Sequence, residues 1–322
     1  MQVQGAQPPD WGFGGKAPPI TIALDAQRCC VLFQEESVLI IDFHTHTFPE
    51  KIAAGAVGKL ASNSHTHPFT GGTQGELLAS MQRAGVDISV VLPVATSARQ
   101  VEHVNDASIR INEGTAEKGI LSFGCMHPDF EDWHGELGRL AGAGIKGVKL
   151  HPPYQEVDFD DPRYLRILDR CGELGLIVLT HAGLDVGLPG HEESTPEKIA
   201  RAVRAAGPVT LVLAHMGGWR CWNQVERLLP GTGVYLDTSF SLDPMTPIGD
   251  GFYQTPQSLA RLTGEDMARM IRLFGADHIL FGTDSPWEDQ LDQVERIRAL
   301  PLTEDEKTAV LGENARRLLG IQ

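Results

Sequence analysis

The stretch LIIDFHTHTF, residues 39–48, carries an apolar run directly into two histidines separated by one threonine. Successive side chains of a β-strand point to opposite faces, so His44 and His46 are expected on one face with Asp42 below them. Two neutral imidazoles at the end of a rigid strand can bind one divalent ion. Short motifs also arise by chance, so the rest of the chain must separate a metal site from buried structural histidines.

Seven further apolar runs follow, and helical patterns alternate with them. They are ISVVLPVA, LSFGCMHP, IKGVKLHP, LIVLTHAG, VTLVLAHMGG, VYLDTSF and HILFGTDSPW, which begin at residues 88, 121, 145, 176, 209, 234 and 278. Near-continuous apolar strands that alternate with helices indicate a parallel sheet covered on both faces. Eight such units predict an α/β fold of the (β/α)₈ TIM-barrel type, for which about 250 residues is typical. An open doubly wound sheet is the alternative, but no glycine-rich phosphate loop follows the first strand.

Several helices can be placed from their own patterns. Amphipathic segments predict helices over 162–174 and 196–206. Thr303 and Glu306 have the spacing of a capping box, which predicts that a final helix covers 304–319.

The composition excludes several classes of function. The chain has 322 residues, 42% of them hydrophobic, which is enough for a buried core. Its 42 acidic and 27 basic residues give a net charge of −15, which opposes binding to nucleic acid or anionic lipid. No apolar run approaches the roughly 20 residues of a membrane span. Five cysteines without CxxC spacing argue against a disulfide framework and favour a reducing, cytoplasmic compartment.

The first 37 residues differ from the rest of the chain. They are rich in proline and glycine, and their only apolar section contains Asp25 and Arg28. A signal peptide would have a basic start and an uninterrupted apolar core. We therefore predict that residues 1–37 form an extension outside the fold and that residues 38–322 form one domain. A short strand over 20–24 is the alternative.

Side chains that can carry chemistry fall at one end of the predicted strands. Those at or near the C-terminal ends are His44, His46, His127, Lys149, His151, His181, His215 and Asp284. In a (β/α)₈ barrel this end is the rim that carries the active site. Histidines that only filled the core would be scattered among strand starts, strand ends and helices. The distribution therefore favours a metal site and predicts an enzyme.

A second His-x-His triplet lies in SHTHPF, residues 64–69, but its context is different. Its neighbours form turns, and no apolar run leads into it. We predict that His65 and His67 belong to a lid over the site, with exposed surface histidines as the alternative.

Five motifs carry a resemblance to a known family: DFHTH, GVKLHP, THAG, AHMGG and GTDSPW occur in this order on the first, fourth, fifth, sixth and eighth predicted strands. In this combination the chain resembles the amidohydrolase superfamily over residues 40–319. The resemblance is strongest to the amidohydrolase-related branch that includes aminocarboxymuconate-semialdehyde decarboxylase and resorcylate decarboxylases. It implies one divalent metal, with Zn²⁺ preferred and Mn²⁺ as the alternative. The implied ligands are His44, His46, His181 and Asp284.

The resemblance also places His215 beside the reacting carbon. Three imidazoles and a carboxylate leave such a metal Lewis-acidic, and water bound to it has a pKa near roughly 7. Asp284 is then expected to accept the water proton and pass it to a leaving group. His215 is expected to polarise the substrate oxygen or to donate a proton. Asp42 is expected either to orient a ligand imidazole or to make a buried structural hydrogen bond.

Four further residues are predicted to contact the substrate: Lys149, His151, Trp219 and Arg220. Binuclear amidohydrolases bridge two metals with a carboxylated lysine, and in that arrangement His181 and His215 would hold the second ion. We prefer one metal, with Lys149 binding a substrate carboxylate or pairing with an acid. A guanidinium pairs bidentately with a carboxylate, so Arg220, with Trp219, is the candidate for holding an anionic, planar substrate.

The same ligand set supports two reactions. The preferred prediction is a hydrolase that acts on an amide, ester or lactone bond of a small, carboxylate-bearing substrate. The alternative is a non-hydrolytic decarboxylase of an aromatic or enoic acid. The segment HMGGWRCW, residues 215–222, lacks the arginine pattern associated with those decarboxylases, which favours hydrolysis. A barrel that only binds ligand is disfavoured by the intact ligand set. The expected partner is a small molecule, and homo-oligomeric assembly is left open.

Overall fold

The structure is a computed structural model that describes residues 38–321. The predicted extension over residues 1–37 lies outside the described residues. Within the described part of the chain, no helix is both long enough and apolar enough to cross a membrane.

Eight parallel strands, labelled β1 to β8 in chain order, pair with their neighbours in sequence. Their bounds are Ile41–Thr45, Ile88–Val91, Ile120–Ser122 with its continuation Gly124–Cys125, Gly147–Leu150, Ile177–Thr180, Leu211–Leu213, Tyr235–Asp237 and Ile279–Leu280. The two halves of β3 pair with β2 and β4 respectively. The Phe43 N–H donates to the Phe281 carbonyl at 2.8 Å, which joins the last strand to the first. The sheet is therefore closed, and the predicted (β/α)₈ barrel is confirmed.

The helices, labelled α1 to α13, are Glu50–Ser64, Gln74–Ala84, Val101–Thr115, Trp133–Gly142, Pro152–Gln155, Pro162–Leu174, Pro196–Ala205, Trp222–Leu228, Pro256–Leu259, Gly264–Phe274, Gln290–Ala299, Glu304–Thr308 and Asn314–Leu319. A π-helical turn, Ala309–Glu313, joins α12 to α13. The predicted final helix is thus one continuous helical segment, and the capping box of Thr303 and Glu306 opens it.

Helix α1 was not among the helices predicted from the sequence. Its buried residues share one face but are small, and they are Ala53, Val57, Ala61 and Ser64. Because these side chains are small and two glycines interrupt the helix, its hydrophobic periodicity is weak. The helix ends at His65, whose left-handed backbone (φ 55°) stops it.

Apolar side chains pack on both faces of the closed sheet, inside the barrel and between the strands and the helices. The inner core contains Phe43 and Phe123, whose rings meet edge to face at 5.7 Å. Leu319 and Ile321 join this inner core, so the C-terminal helix covers one end of the barrel. The outer core packs the remaining helices against the strands. The opposite end, where the strands terminate, is left for the histidines.

The final helical segment lies directly on the chain that leads into β1. A Cβ atom at Gly312 would lie 2.0 Å from the carbonyl oxygen of Leu39, closer than real Cβ contacts. The Phe281 N–H donates to the Val310 carbonyl at 2.9 Å, which fixes the same segment against β8. Glycine is therefore required at position 312 by the close approach of two backbones.

This contact predicts opposite effects of two glycine substitutions. Gly312→Ala should lower the free energy of unfolding by roughly 1–3 kcal/mol, because overpacking forces the helix off β1. Gly58→Ala should raise it by up to about 1 kcal/mol, since alanine favours helix and its Cβ would meet no atom within 4 Å. Urea unfolding of both variants, followed by circular dichroism, measures the difference. Equal midpoints for the two variants would contradict the packing.

Candidate metal centre

The strand β1 does not alternate regularly up to its histidines, because its register shifts between Asp42 and Thr45. The Asp42 carboxylate accepts hydrogen bonds from Thr283 Oγ1 at 2.6 Å and from Gln290 Nε2 of α11 at 2.7 Å. Asp42 therefore faces the helix layer. The regular strand pattern had predicted that it shares a face with the two histidines, and this prediction is wrong. Burial raises the pKa of Asp42 to about 7, although the hydrogen bonds that it accepts lower the pKa. Its role is a buried structural hydrogen bond.

Three of the four predicted ligands meet at the rim: His44, His46 and Asp284. The Nε2 atom of His46 lies 3.0 Å from Asp284 Oδ1, and Nε2 of His44 lies 3.5 Å from the same oxygen. The two Nε2 atoms are 3.2 Å apart. Two imidazoles from β1 and one carboxylate that follows β8 therefore converge within one small volume, which we call the metal triad.

Hydrogen bonds on the far side of each ring assign its tautomer. His44 Nδ1 lies 2.8 Å from Asp237 Oδ2, and His46 Nδ1 lies 2.8 Å from the Leu92 carbonyl oxygen. Because a carboxylate and a carbonyl only accept, each Nδ1 carries a proton and each Nε2 keeps a lone pair. His46 Nε2 and Asp284 Oδ1 are then two acceptors in contact, which only a shared proton or a cation can stabilise. The donor set fits a divalent metal such as Zn²⁺ or Mn²⁺.

Asp284 carries a negative charge in this environment. Burial alone would raise the pKa of Asp284, but its contact with His46 Nε2 and with the other imidazoles around it lowers that pKa below its usual range. Both Asp284 (φ 61°) and His215 (φ 59°) have left-handed backbones. Non-glycine residues persist in this conformation only where the surrounding structure imposes it, and such positions are concentrated at functional sites.

The fourth predicted ligand, His181, lies beside His215 and outside the metal triad. His181 Nε2 lies 3.1 Å from the Leu184 carbonyl, and His215 Nδ1 lies 3.0 Å from the Ser239 carbonyl. Both of those nitrogens therefore carry protons, which leaves His181 Nδ1 and His215 Nε2 as two lone pairs 3.2 Å apart. Burial lowers the pKa of His181 to about 3 and that of His215 to about 4, so both rings are neutral at pH 7. Ligation by His181 stays a prediction.

Lys149 contacts His44 of the metal triad, and His151 contacts His181. Lys149 is 2% exposed, and its Nζ lies 3.2 Å from His44 Nε2. Burial lowers the pKa of Lys149 to about 8. The His151 ring stacks on His181 with centroids 4.4 Å apart, and its Nε2 lies 3.4 Å from Asp185 Oδ2. Their positions are compatible with contact to a substrate bound at the triad.

Trp219 and Arg220 lie at an apolar cluster on the rim. We use the name aromatic cluster for the buried residues Trp219, Phe240 and Met245 together with the partly buried Leu184, Trp222, Tyr253 and Trp287 that pack on them. The Arg220 guanidinium lies over the Trp219 ring, 4.9 Å from its centroid, and Nη2 donates to the Ser258 carbonyl. Arg220 is thus held against the rim.

The remaining histidines flagged from the sequence make other contacts. His65 pairs with Asp250 at 2.6 Å and stacks on Phe252, and the His67 N–H donates to the Thr246 carbonyl. The second triplet therefore joins the loop after α1 to the loop after β7. Within residues 38–321 neither of its histidines belongs to a group that could hold a metal. His127 accepts a hydrogen bond from the backbone of the turn that follows it.

Three residues that support the site were missed from the sequence: Asp185, Asp237 and Ser239. Asp237 ends β7 at the same position at which other strands present their histidines, and this was the available signal. Asp185 lies four residues after His181 in the loop that follows β5, and nothing in the local sequence pattern indicates a role for it. Ser239 acts through its carbonyl and hydroxyl groups, which no motif reveals.

Comparison with known proteins gives the following matches. A family model described as "Amidohydrolase" matches residues 41–321. No curated protein matches the chain. The solved structure of 5-carboxyvanillate decarboxylase from Sphingomonas paucimobilis is 17% identical with a TM-score of 0.62, over 89% of this chain and 100% of that one.

Two other solved structures are similar to the same extent. The 2,6-dihydroxybenzoate decarboxylase from Rhizobium is 16% identical with a TM-score of 0.62, over 88% of this chain and 98% of that one. A dihydroxybenzoic acid decarboxylase from Polaromonas sp. JS666, solved with bound manganese and an inhibitor, is 15% identical with a TM-score of 0.59, over 88% and 97%. At these identities the similarity shows the fold alone.

The two His-x-His triplets predict a difference in metal content. Replacing His44 and His46 together by alanine should abolish stoichiometric metal, because the pair supplies two of the three converging ligands. Replacing His65 and His67 together should leave metal content near that of the unmodified protein. Elemental analysis of both dialysed variants measures this. If the loop variant lost metal and the strand variant kept it, the assignment of the triad would be wrong.

Proposed function

Because the chain belongs to the amidohydrolase family, it is an enzyme, either a hydrolase or a carboxy-lyase, and we propose that it decarboxylates a planar aromatic or enoic acid with one divalent metal. Hydrolysis was the preferred prediction from the sequence and decarboxylation its alternative. Decarboxylases of hydroxylated benzoic acids are among the similar solved structures, which supports the alternative.

The observation that carries the proposal is the position of the aromatic cluster against the histidines. Three hydrogen bonds connect them: the Trp287 N–H donates to the Asp284 carbonyl, the Trp222 indole N–H donates to the His215 carbonyl, and His181 Nε2–H donates to the Leu184 carbonyl. Flat apolar walls beside a few convergent polar groups suit a planar ligand. A substrate ring can therefore pack on the cluster while its carboxylate faces the metal triad.

The metal triad is proposed to hold the metal, with His181 as a further ligand. A divalent metal at this position would act as a Lewis acid toward a substrate oxygen. The ligand set accepts Zn²⁺, which the sequence analysis preferred, and also Mn²⁺, which the Polaromonas enzyme binds. The proposal keeps a single metal, with Lys149 uncarboxylated and positively charged.

The side chains around the triad have complementary tasks in the proposed reaction. The bond between the substrate carbon and its carboxyl group breaks, carbon dioxide leaves, and the electron pair that remains on carbon takes a proton. Asp284 contacts both imidazoles through Oδ1, which leaves Oδ2 to take a proton from solvent and deliver it to that carbon. His215 is neutral with a lone pair at Nε2, so it can accept a proton from a substrate hydroxyl. The Lys149 ammonium is placed to attract the substrate carboxylate.

The two reactions of the family leave different isotope labels. With Mn²⁺-loaded protein and a panel of ortho-hydroxybenzoates and enoic acids in D₂O, we expect carbon dioxide release and one deuterium at the carbon that loses it. With aryl esters and lactones in H₂¹⁸O, we expect no ¹⁸O in the acid product above background. Mass spectrometry reads both labels. Labelled acid without any carbon dioxide release would assign hydrolysis instead.

Replacement of the proposed proton carrier should separate chemistry from folding. Asp284→Asn should lower turnover by at least roughly 10²-fold at saturating metal, the low end of what a positioned acid or base supplies. Asp277→Asn is the matched control, because Asp277 is exposed at the far end of β8. The control should turn over at the normal rate. Near-normal turnover of the Asp284 variant would remove Asp284 from the proposed mechanism.

A further inference from the structure

A cavity of about 400 Å³ lies beside the loops that follow β6 and β7, and none of the metal triad lines it. Its charged lining consists of three arginines and two acids: Arg220, Arg261, Arg269, Glu226 and Asp266. Cavities of roughly 300–1,000 Å³ are typical of small-molecule sites. The distribution of ion pairs within the lining indicates which kind of ligand it suits.

Arg269 uses both acids of the lining. Its Nη1 pairs with Glu226, and its Nη2 lies 3.0 Å from Asp266 Oδ1. The positive charge of Arg269 is therefore compensated, and neither acid remains for the other two arginines.

Arg261 is buried with one nitrogen unsatisfied. Its side chain is 3% exposed, Nε donates to the Asp243 carbonyl at 2.6 Å, and Nη2 donates to Glu288 Oε1 at 2.6 Å. Nη1 has no hydrogen-bond partner anywhere in residues 38–321. Burial raises the pKa of Glu288, and the ion pair with Arg261 opposes this rise. A buried guanidinium N–H normally has an acceptor, and here Arg261 Nη1 lacks one while Oε2 of its ion-pair partner Glu288 also has no hydrogen-bond partner among the described residues.

Arg220 provides a second guanidinium at the same cavity. Its Nη2 donates to the Ser258 carbonyl, and no acidic side chain of the described chain pairs with it. Burial lowers the pKa of Arg220, and the positive charge of Arg261 lowers it further. A cavity lined by Arg220 without an acid partner and by Arg261 with one open N–H favours an added anion.

Aromatic rings support both guanidiniums from behind. Arg220 lies over Trp219, and Arg261 lies over Phe240 with 4.7 Å to the ring centroid. The indole Nε1–H of Trp219 is buried and, like Arg261 Nη1, lacks a partner among the residues that the structure describes. Trp219 and Phe240 are members of the aromatic cluster, so the cavity and the proposed substrate site share a wall.

We propose that Arg220 and Arg261 form a binding site for the carboxylate of a small organic acid, which we call the two-arginine site. Guanidinium groups bind carboxylates through paired hydrogen bonds, and stacking on aromatic rings holds them in position for that task. The carboxylate belongs either to a second acid group on the substrate itself or to a separate acid. The site does not depend on the proposed decarboxylation, because it is defined by binding.

The test is calorimetric titration of the full-length, Mn²⁺-loaded protein with benzoate and with isophthalate, which carries two carboxylates. Arg220→Gln and Arg261→Gln should each weaken binding of isophthalate at least about 10-fold, as expected for loss of a charge-assisted hydrogen bond. Arg269→Gln is the matched control and should bind as the unmodified protein does, because its charge is already paired within the wall.

Three outcomes are distinct. In the first outcome, isophthalate binds at least about 10-fold more tightly than benzoate, and the His44→Ala/His46→Ala variant loses that preference. This result would show that the two-arginine site holds a second acid group of the substrate. If benzoate binds that variant as well as the unmodified protein and loses binding in Arg220→Gln, the site takes a separate acid. Unchanged binding of both acids to folded Arg220→Gln would overturn the proposal, whatever the Arg261 variant does and whether or not decarboxylation is observed.

Discussion

The hydrogen bond between His44 Nδ1 and Asp237 Oδ2 organises the catalytic end of this barrel. It is buried, 2.8 Å long, and joins the first strand to the seventh. The other oxygen of Asp237 accepts from the His215 N–H at 3.0 Å and from the Ser239 N–H at 3.1 Å. A buried carboxylate is stable only when its lone pairs are satisfied in this way. One carboxyl group thus sets the tautomer of a proposed metal ligand and holds the backbone of His215, the proposed proton acceptor.

The local sequence pattern predicted the strands and the residues at their C-terminal ends. An apolar run that ends in histidine gives a strand and its rim residue together, so all eight strands and the converging His44, His46 and Asp284 were identifiable. The supporting contacts depend on partners from distant strands. Asp237 lies 193 residues beyond His44, and no alternation pattern records that separation. The register shift in β1 is likewise a product of its neighbours, since hydrophobic alternation by itself predicts a regular strand.

The choice between hydrolysis and decarboxylation depends on what surrounds the ligands, because the ligands serve both reactions. The sequence argument for hydrolysis considered the arginines of a single segment, residues 215–222. In the folded protein a second arginine, Arg261, arrives from the following loop and lines the same cavity as Arg220. The arginines of residues 215–222 alone therefore underestimate the number of guanidinium groups that line this cavity. The aromatic cluster is also assembled from several loops, which explains why no single motif indicated it.

The position of Gly312 against Leu39 has a consequence for how the protein is made. The strand that carries His44 and His46 is enclosed by residues from the other end of the chain: Phe281 pairs with it, and the segment around Gly312 lies on its start. During synthesis these partners leave the ribosome long after the two histidines do. Contacts of such high sequence separation form only after most of the chain is present. The nascent chain therefore lacks Asp284, one of the three converging side chains, for most of its translation.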